Sequence, residues 1–374
     1  MGKEVSDNVH TPELLKEYQS YPLDVKILMT ERRIHEYYTG YGSIGYGNAY
    51  VSFSGGKDST VLLAIARKLY PDIRACFCNT GLEYPEIQSF VKRHENIDIV
   101  RPTLRFDEVI SQYGYPLISK EVSQAIYYAR MIGQKKSSKW GRNELLGIRE
   151  GRFSKEQFMP IASDAPFKIS HYCCNVNKKA PLDKYARKNG LHPIVATMAE
   201  ESARRTTSWL RTGCNSFECK IQSKPMSFWL EQDVLRYIIE NDLEICSVYG
   251  DIVAVDDYGN EYDPQSTLIS DCKLKCTGCL RTGCVYCAFG FHNERGETRF
   301  QRLAKTHPRQ YEYCMGGGQW VDNPAYDATA SEYDGEWKNW NPKKIWVPSK
   351  QGIWLKAVFD MVNEIYGKDF YRYD

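Results

Sequence analysis

The run Ser-Gly-Gly-Lys-Asp-Ser at residues 54–59 has the residue types and spacing of an anion-binding turn. The segment before it, residues 49–53, is rich in β-branched and aromatic side chains and predicts a buried strand. The segment after it, residues 60–69, has apolar side chains at helical spacing. Glycines allow the backbone to approach a phosphate, and the first N–H groups of the helix point at it. The charge of Lys57 and two serine hydroxyls would strengthen such a site.

This turn differs from the phosphate loop of GTPases and motor ATPases. That loop needs glycine at the position of Val51, and serine or threonine at the position of Asp58. The pattern instead resembles the PP-loop of ATP pyrophosphatases and of the phosphoadenylylsulfate (PAPS) reductase family. An ordinary glycine-rich turn is the alternative. The resemblance implies an adenine nucleotide, ATP, bound by the following residues: Ser52, Ser54, Gly55, Gly56, Lys57, Asp58 and Ser59.

Two later segments resemble further nucleotide-binding signatures of the same family. A predicted strand at residues 73–78 leads into Thr-Gly-Leu-Glu-Tyr-Pro-Glu, and the ligands of a parallel α/β sheet gather where its strands end. The resemblance implies nucleotide contacts from Thr80, Gly81 and Glu83. Another predicted strand leads into Glu-Ser-x-x-Arg, where Arg205 is the candidate phosphate ligand because a guanidinium can bind two oxygens. A surface helix with ion pairs is the alternative for this last segment.

Thirteen cysteines in a chain whose beginning is polar and charged indicate chemistry rather than disulfides, because the expected compartment is the reducing cytoplasm. Cys173 and Cys174 are adjacent, and the lysines that follow favour their thiolate forms. Two C-x-x-C pairs lie close together further along the chain, a spacing typical of metal ligands. The cysteines of these two pairs could hold zinc by themselves: Cys276, Cys279, Cys284 and Cys287.

A tandem cysteine pair followed by a later C-x-x-C pair resembles the cysteine arrangement of adenylylsulfate reductases. This resemblance implies a 4Fe–4S cluster, which we favour over zinc, with these ligands: Cys173, Cys174, Cys284 and Cys287. Cys276 and Cys279 would then be spare thiols, a substitute ligand or a sulfur relay. We assign Cys279 as the catalytic candidate.

Residues 130–155 are more basic than the rest of a chain whose formal net charge is only +2. Trp140 and Phe153 are interleaved with the charges, and this composition suits phosphates and stacked bases. The stretch therefore predicts contact with a nucleic acid, DNA or tRNA, and a solvated loop is the alternative. Its basic residues are Arg130, Lys135, Lys136, Lys139, Arg142, Arg149, Arg152 and Lys155.

Alternating predicted strands and helices indicate the α/β class with a parallel sheet, and the family resemblance implies that this sheet is Rossmann-like. We expect an N-terminal helical segment at residues 1–45 and the PP-loop nucleotide-binding domain at residues 46–212. A smaller helical, cysteine-rich, metal-binding part follows at residues 213–315, and a Trp/Pro-rich tail with a terminal helix at residues 316–374. No apolar run approaches the length of a membrane span, so we expect no membrane partner.

The resemblance as a whole implies a sulfur-transfer enzyme that adenylates an acceptor, such as DNA or tRNA, before sulfur is inserted. A separate sulfur donor protein could serve it. The implied catalytic residues are Lys57, Asp58 with Mg²⁺, Arg205 and Cys279. The runner-up is an adenylylsulfate or PAPS reductase that produces sulfite. A third hypothesis is a non-catalytic nucleotide-binding subunit.

Overall fold

The computed structural model describes residues 10–40, 47–131, 136–148, 155–217, 220–265 and 272–374. The chain forms two compact units. The first unit comprises Met1–Asn79, Glu83–Arg101 and Pro181–Thr282, and the second comprises Thr80–Leu82, Pro102–Ala180 and Gly283–Asp374. The four segments proposed from the sequence stay a prediction.

The strands of the described ranges follow in chain order. They are β1 (Ala49–Ser52), β2 (Ala75–Cys78), β3 (Ile97–Val100), β4 (His192–Ile194), β5 (Asn215–Ser216), β6 (Gln222–Ser223), β7 (Ile252–Val255), β8 (Glu261–Tyr262), β9 (Lys273–Cys276), β10 (Gln319–Asp322), β11 (Tyr333–Asp334), β12 (Trp337–Lys338) and β13 (Lys344–Val347).

The α-helices of the same ranges also follow in chain order. They are α1 (Pro12–Ser20), α2 (Leu23–Tyr38), α3 (Lys57–Leu69), α4 (Pro85–Lys92), α5 (Phe106–Tyr113), α6 (Lys120–Ala129), α7 (Lys136–Leu145), α8 (Met159–Asp164), α9 (Ala180–Asn189), α10 (Ala203–Thr212), α11 (Glu231–Glu240), α12 (Arg299–Thr306), α13 (Pro308–Met315) and α14 (Leu355–Tyr366). None of them combines the length and hydropathy that a membrane span needs.

The first unit is built on a six-stranded sheet with the strand order β3-β2-β1-β4-β6-β5. All neighbouring strands in it are parallel except β5 and β6. The chain moves outward from β1 to β2 and β3, and then returns to the other side of β1 with β4. The carboxyl ends of β1 and β4 therefore form the topological switch point, which is where open α/β sheets bind ligands. This sheet confirms the predicted α/β class.

Apolar side chains explain why the sheet sits at the centre of this unit. The side chains of β1 and β2 are almost all buried, and α3 buries most of its apolar residues. Tyr50 and Cys76 pack with Tyr185 of α9 in one buried cluster. Burial raises the pKa of the Cys76 thiol to about 12, which fits a cysteine that packs as a small apolar side chain. A separate antiparallel sheet, β8-β7-β9, completes the strands of the unit.

The second unit is mainly helical and carries two small antiparallel sheets, β10 with β13 and β11 with β12. An aromatic cluster forms part of its core, in which the rings of Phe291 and Tyr371 stack with centroids 5.1 Å apart. Phe300 and Phe359 contact the same Phe291 ring. This cluster ties the terminal residues and α14 to the segment that follows the last cysteine pair.

Three described cations of the basic stretch are used inside the second unit. The guanidinium of Arg130 donates to the backbone carbonyls of Ile161, Ala162 and Phe167 at 2.6–2.8 Å. Arg142 forms an ion pair with Asp334, and Lys155 forms ion pairs with Glu121 and Glu144. The exposed cations of α7 are Lys136 and Lys139. Lys135, Arg149, Arg152 and Phe153 lie outside the described residues.

Candidate functional site

The Ser-Gly-Gly-Lys-Asp-Ser turn lies at the switch point, between the end of β1 and the start of α3. Gly55 has a φ of 72°, a conformation that glycine adopts without steric cost. The N–H of Ser54 donates to Oγ of Ser59 at 3.1 Å, and the Ser59 hydroxyl donates to the carbonyl of Gly56 at 2.9 Å. These bonds fold the turn over the first residues of α3, so that the amide groups of the helix start face the crevice.

Neither glycine of the turn could carry a side chain without a close contact. A Cβ on Gly55 would lie 2.9 Å from methyl groups of Ile87 and Val91 in α4. A Cβ on Gly56 would lie 3.1 Å from the hydroxyl of Tyr249 and 3.3 Å from that of Thr282. Gly55 thus allows helix packing, and Gly56 keeps room above the start of α3.

Lys57 is the buried cation of the site, with only 4% of its surface exposed. Its ammonium lies 3.0 Å from the carboxylate of Glu231 and 3.7 Å from that of Asp58. It also donates to the backbone carbonyl of Leu280 at 3.2 Å. Burial opposes the charge, but Asp58 and Glu231 outweigh it and raise the pKa of Lys57. Lys57 is therefore held charged beside the turn.

Asp58 is the half-buried carboxylate of the site. Burial raises its pKa, and the positive charges of Lys57, Arg281 and Arg205 partly oppose that rise. Its Oδ1 atom is buried and accepts no hydrogen bond from the described residues, the Lys57 ammonium being 3.7 Å away. A buried carboxylate oxygen with no donor is costly, and a bound cation would satisfy it.

Arg205 reaches the same crevice from the β4 side. The segment after β4 leads to Ser202, which caps α10 by accepting a hydrogen bond from the N–H of Arg205 at 3.4 Å. Arg205 forms an ion pair with Glu201, and Arg281 lies 3.9 Å from the same carboxylate. Burial and the neighbouring charge of Arg281 lower the pKa of Arg205. The predicted Lys57, Asp58 and Arg205 are thus brought together, which their separation in the sequence does not show.

Sequence reasoning missed four residues that complete this arrangement. The hydroxyl of Tyr249 accepts a hydrogen bond from the backbone N–H of Lys57 at 3.2 Å and shares another with Thr282 at 2.7 Å. Glu231 and Arg281 supply charges to the same crevice. All four residues come from segments far along the chain, and the sequence analysis assigned none of them a role at the turn. The position of Arg281 close to the second C-x-x-C pair was the one sequence feature that could have pointed to it.

The two thiols of the first C-x-x-C pair have different surroundings. Cys276, at the end of β9, is buried and lies in electrostatic range of Lys57, Glu231 and Asp58. Burial raises its pKa, and Lys57 partly offsets that effect. Cys279 is also buried, and its N–H donates to the carbonyl of Val248 at 2.9 Å. Its charge contributes to the raised pKa of the Cys246 thiol. Cys276 is therefore the thiol of this pair that interacts electrostatically with the charged residues of the turn. The catalytic role assigned to Cys279 stays a prediction.

The remaining predicted nucleotide contacts are placed as follows. Ser52 ends β1, and Glu83 belongs to the first unit with a half-buried side chain. Thr80 and Gly81 belong to the second unit. The Thr80 hydroxyl accepts a hydrogen bond from the N–H of Leu82 at 3.1 Å, which fixes this turn locally. Nucleotide binding by these residues stays a prediction.

The four cysteines expected to hold iron all belong to the second unit. The sulfur atoms of Cys173 and Cys174 are 4.0 Å apart. Cys284 and Cys287 lie on one turn and in electrostatic range of Cys173. A π-helix, Asn175–Lys179, follows the tandem pair, and such turns are rare and frequent at functional sites. The structure thus gathers four thiols that the sequence separates by more than a hundred residues.

Positive charge surrounds these thiols. The contact between Cys173 and Cys174 lowers the pKa of Cys174 and raises that of Cys173, because the pair readily shares one proton. Lys120, Lys178 and Lys179 also favour the thiolate of Cys174. The guanidinium of Arg299 donates to the backbone carbonyl of Cys287 at 2.9 Å. The group is therefore suited to hold negative sulfur.

The family of the chain follows from comparison with known proteins. A family model described as the phosphoadenosine phosphosulfate reductase domain matches residues 48–132 and 134–289. The chain belongs to the PAPS reductase family. The matched segments include the switch-point crevice and the four thiols of the second unit, so both sites lie within the part that defines the PAPS reductase family.

Individual relatives of this PAPS reductase family member are distant. An uncharacterized protein of Methanocaldococcus jannaschii is 24% identical over 272 residues, which make up 72% of this chain and 46% of that protein. The chain thus spans about half the length of this curated relative. The crystal structure of PAPS reductase from Candida auris, as a phosphate complex, is 11% identical and covers 64% of this chain and 90% of its own, with a TM-score of 0.33.

Neutralising Glu231 is expected to tighten the binding of free phosphate groups at the PAPS reductase-type turn. The Glu231→Gln variant removes a carboxylate that forms an ion pair with the ammonium of Lys57 and would compete with a phosphate for it. We expect the affinity for inorganic pyrophosphate, measured calorimetrically without divalent cations, to rise about two- to fivefold, the range of a partly exposed ion pair. Glu240→Gln, at the exposed end of the same helix, is the matched control and should bind as the native chain does. Unchanged affinity in Glu231→Gln would mean that the two groups do not compete.

Proposed function

We propose that this chain is a nucleotide-dependent sulfur-transfer enzyme that binds ATP in the crevice between the ends of β1 and β4. The observation that carries the proposal is the buried ammonium of Lys57 at the start of α3, with Arg205 and Arg281 in electrostatic range of the same carboxylate, Asp58. Three cations around a glycine turn suit a triphosphate, whose charge needs several cationic partners.

The proposed first step adenylates an acceptor. An oxygen of the acceptor attacks the α-phosphorus of ATP and forms a new P–O bond. The bond from that phosphorus to the oxygen that bridges to the β-phosphate breaks, and pyrophosphate leaves. Lys57 and Arg205 would stabilise the negative charge that develops on the phosphate oxygens. Asp58, whose buried Oδ1 lacks a donor, would hold Mg²⁺ against the same phosphates.

The proposed second step inserts sulfur. Hydrosulfide, or sulfur at the same oxidation level from a donor protein, attacks the adenylated acceptor and forms the bond to sulfur. The acceptor–oxygen bond breaks, and AMP leaves with that oxygen, so no electrons are exchanged. A carrier route would start from a persulfide on Cys279, the proposed catalytic thiol, supplied by the donor protein. Its outer sulfur attacks the adenylated acceptor and AMP leaves. A second thiol, for which Cys276 is the candidate because it lies in electrostatic range of Lys57 and Asp58, then releases the acceptor-bound sulfur by forming a disulfide with Cys279, which an external thiol reductant must reduce.

The thiols of the second unit fit an iron–sulfur cluster. In the described ranges, no three potential ligand side chains converge as the ligands of one metal ion, but a 4Fe–4S cluster is a larger group held by four cysteines. We therefore propose Cys173, Cys174, Cys284 and Cys287 as its ligands, in preference to a zinc ion on the two C-x-x-C pairs. Such a cluster, when bound, supplies iron that can hold sulfur or pass an electron. The lysines near Cys174 would balance its negative charge.

Iron binding should depend on the tandem cysteines. We expect the anaerobically prepared native chain to be brown, with broad absorbance near about 400 nm, as clusters of this type are. Cys173→Ser should lose most of its iron and this absorbance, because one of four thiolate ligands is removed. Cys314→Ser is the control, since Cys314 is buried in the same unit and its thiol donates to the carbonyl of Tyr311. A colourless native protein that carries zinc alone would reject the cluster.

The products separate this function from the alternatives. The native chain, loaded with iron, would be incubated with labelled ATP, sulfide and candidate acceptors, and separately with adenylylsulfate or PAPS. We expect pyrophosphate and AMP from ATP. Release of sulfite would instead support a reductase, which is the activity that the family model names. Nucleotide binding with neither product would reject both enzymes in favour of a regulatory subunit.

A further inference from the structure

A basic groove runs along the outer strand of the six-stranded sheet. It has a volume of about 480 Å³ and lies between β3 and α9, both in the first unit. The crevice at β1 and β4 is a different place, because β2 separates β3 from β1. The groove is lined by four cations, Arg74, Arg101, Lys184 and Lys188.

The described lining of the groove carries four cations against one carboxylate, so its positive charge is only partly neutralised. All four cations are exposed, and none has an ion pair with a carboxylate of the described residues. Among the described residues of the lining, only Asp98 carries a carboxylate. The hydroxyl of Tyr185 donates to that carboxylate at 2.6 Å, so Asp98 has a partner within the fold. Lys184 and Lys188 are one turn apart on α9, and such like charges repel each other unless an anion lies between them.

The four charges are spread along a line rather than gathered around one point. Ala75 pairs with Ile97 in the parallel register, so Arg74 stands beside the residue that precedes β3. Arg101 follows the last residue of β3. At ~3.3 Å per residue, the two arginine positions lie about 16 Å apart along the strand. A single phosphate would engage only part of this length, whereas a phosphodiester backbone could engage all of it.

We propose that this groove binds the phosphodiester backbone of a nucleic-acid strand. Arginine and lysine side chains along a groove neutralise successive phosphates, which gives affinity without reading bases. The one aromatic ring of the described lining, Tyr185, is buried and hydrogen-bonded, so it offers no platform for stacking. Binding is therefore independent of base sequence. That the groove binds the acceptor of the enzyme rests on the proposed function. That it binds a phosphodiester backbone rests only on the charges that line it.

The test compares two pairs of lysines on two helices. Binding of a fluorescent single-stranded DNA of about 20 nucleotides would be followed by anisotropy, without ATP, as salt is raised from about 50 mM. In the double variant Lys184→Met and Lys188→Met, we expect about tenfold weaker binding and a salt slope smaller by about 1.4, since each phosphate contact contributes about 0.7. The double variant Lys136→Met and Lys139→Met removes equal charge from exposed positions of α7, in the stretch for which the sequence predicts nucleic-acid contact, and is expected to lose less affinity than the α9 variant.

The possible outcomes are distinct. Native affinity in the α9 variant, or a loss confined to the α7 variant, would overturn the proposal and favour the basic stretch around α7. Competition by polyglutamate as strong as that by DNA would also overturn it, because the groove would then bind acidic peptides. The α9 variant should still bind ATP at the turn. If the native chain binds no ATP, the proposed function is rejected, whereas the proposal for this groove is unaffected.

Discussion

Replacing Lys57 with methionine is expected to lower the rate of pyrophosphate release from ATP by about 10²–10³-fold, the usual loss when a preorganised charge-stabilising group is removed. Lys57 is buried beside the glycine turn, so water cannot take the place of its ammonium in stabilising negative charge there. Methionine keeps the length of the side chain and removes only its ammonium. The equilibrium affinity for ATP should fall less, because the helix N-terminus and Arg205 remain. Steady-state product release and calorimetric binding measure the two effects separately.

The matched control for this variant is Lys68→Met. Lys68 lies near the other end of α3, its side chain is 70% exposed, and it has one loose ion pair with Glu31 at 3.4 Å. The control should keep native turnover. Since Lys57 also holds Glu231 and the carbonyl of Leu280, a thermal unfolding curve must accompany the assay. Native turnover in a folded Lys57→Met variant would show that the crevice is not the site of phosphate chemistry.

Replacing Arg130 with methionine is expected to destabilise the second unit by about 2–3 kcal/mol, as when hydrogen bonds from a charged donor are lost. The guanidinium donates to carbonyls of Ile161, Ala162 and Phe167, and its Cζ atom lies 4.4 Å from the centroid of the Trp340 ring. Methionine can pack in the same space but donates no hydrogen bond. The buried carbonyls would then lack partners, which costs free energy for each of them. Urea unfolding followed by tryptophan fluorescence measures the change.

Lys139→Met is the control for Arg130, because Lys139 lies in the same basic stretch but is exposed on α7. We expect it to unfold within about 0.5 kcal/mol of the native chain, as most surface substitutions do. Arg130→Lys should fall between the two, since an ammonium can donate to some of the carbonyls but cannot reproduce the planar fork. An Arg130→Met variant as stable as the native chain would mean that water replaces the guanidinium.

The nucleotide turn could be predicted from the sequence because its information is local. A buried strand, two glycines and an amphipathic helix are encoded in consecutive residues, and β1 and α3 appear where they were expected. The position of Arg205 near the turn could also be predicted, because it follows a predicted strand of the same sheet, whereas its contact with a phosphate stays a prediction. The parallel sheet itself follows from the alternation of strands and helices, and its observed order confirms that class.

Long-range contacts account for what the sequence could not show. Tyr249 and Glu231 reach the turn only through folding, and the sequence analysis assigned neither of them a role there. The basic stretch predicted a surface that contacts a nucleic acid, yet the half-buried guanidinium of Arg130 donates to backbone carbonyls of its own unit, a fact that composition cannot reveal. The groove beside β3 combines arginines that flank two strands with lysines of a much later helix. These four charges are far apart in the sequence, and only folding places them along one groove.

The hydroxyl of Tyr249 has a consequence for how the crevice fills. It already takes the first amide hydrogen of α3, so the protein carries its own stand-in for a phosphate oxygen. On the proposed function, an incoming nucleotide would have to displace the Tyr249 hydroxyl from this amide. Its affinity would then be the difference between the hydrogen bond that a phosphate oxygen makes to the amide and the one that Tyr249 gives up.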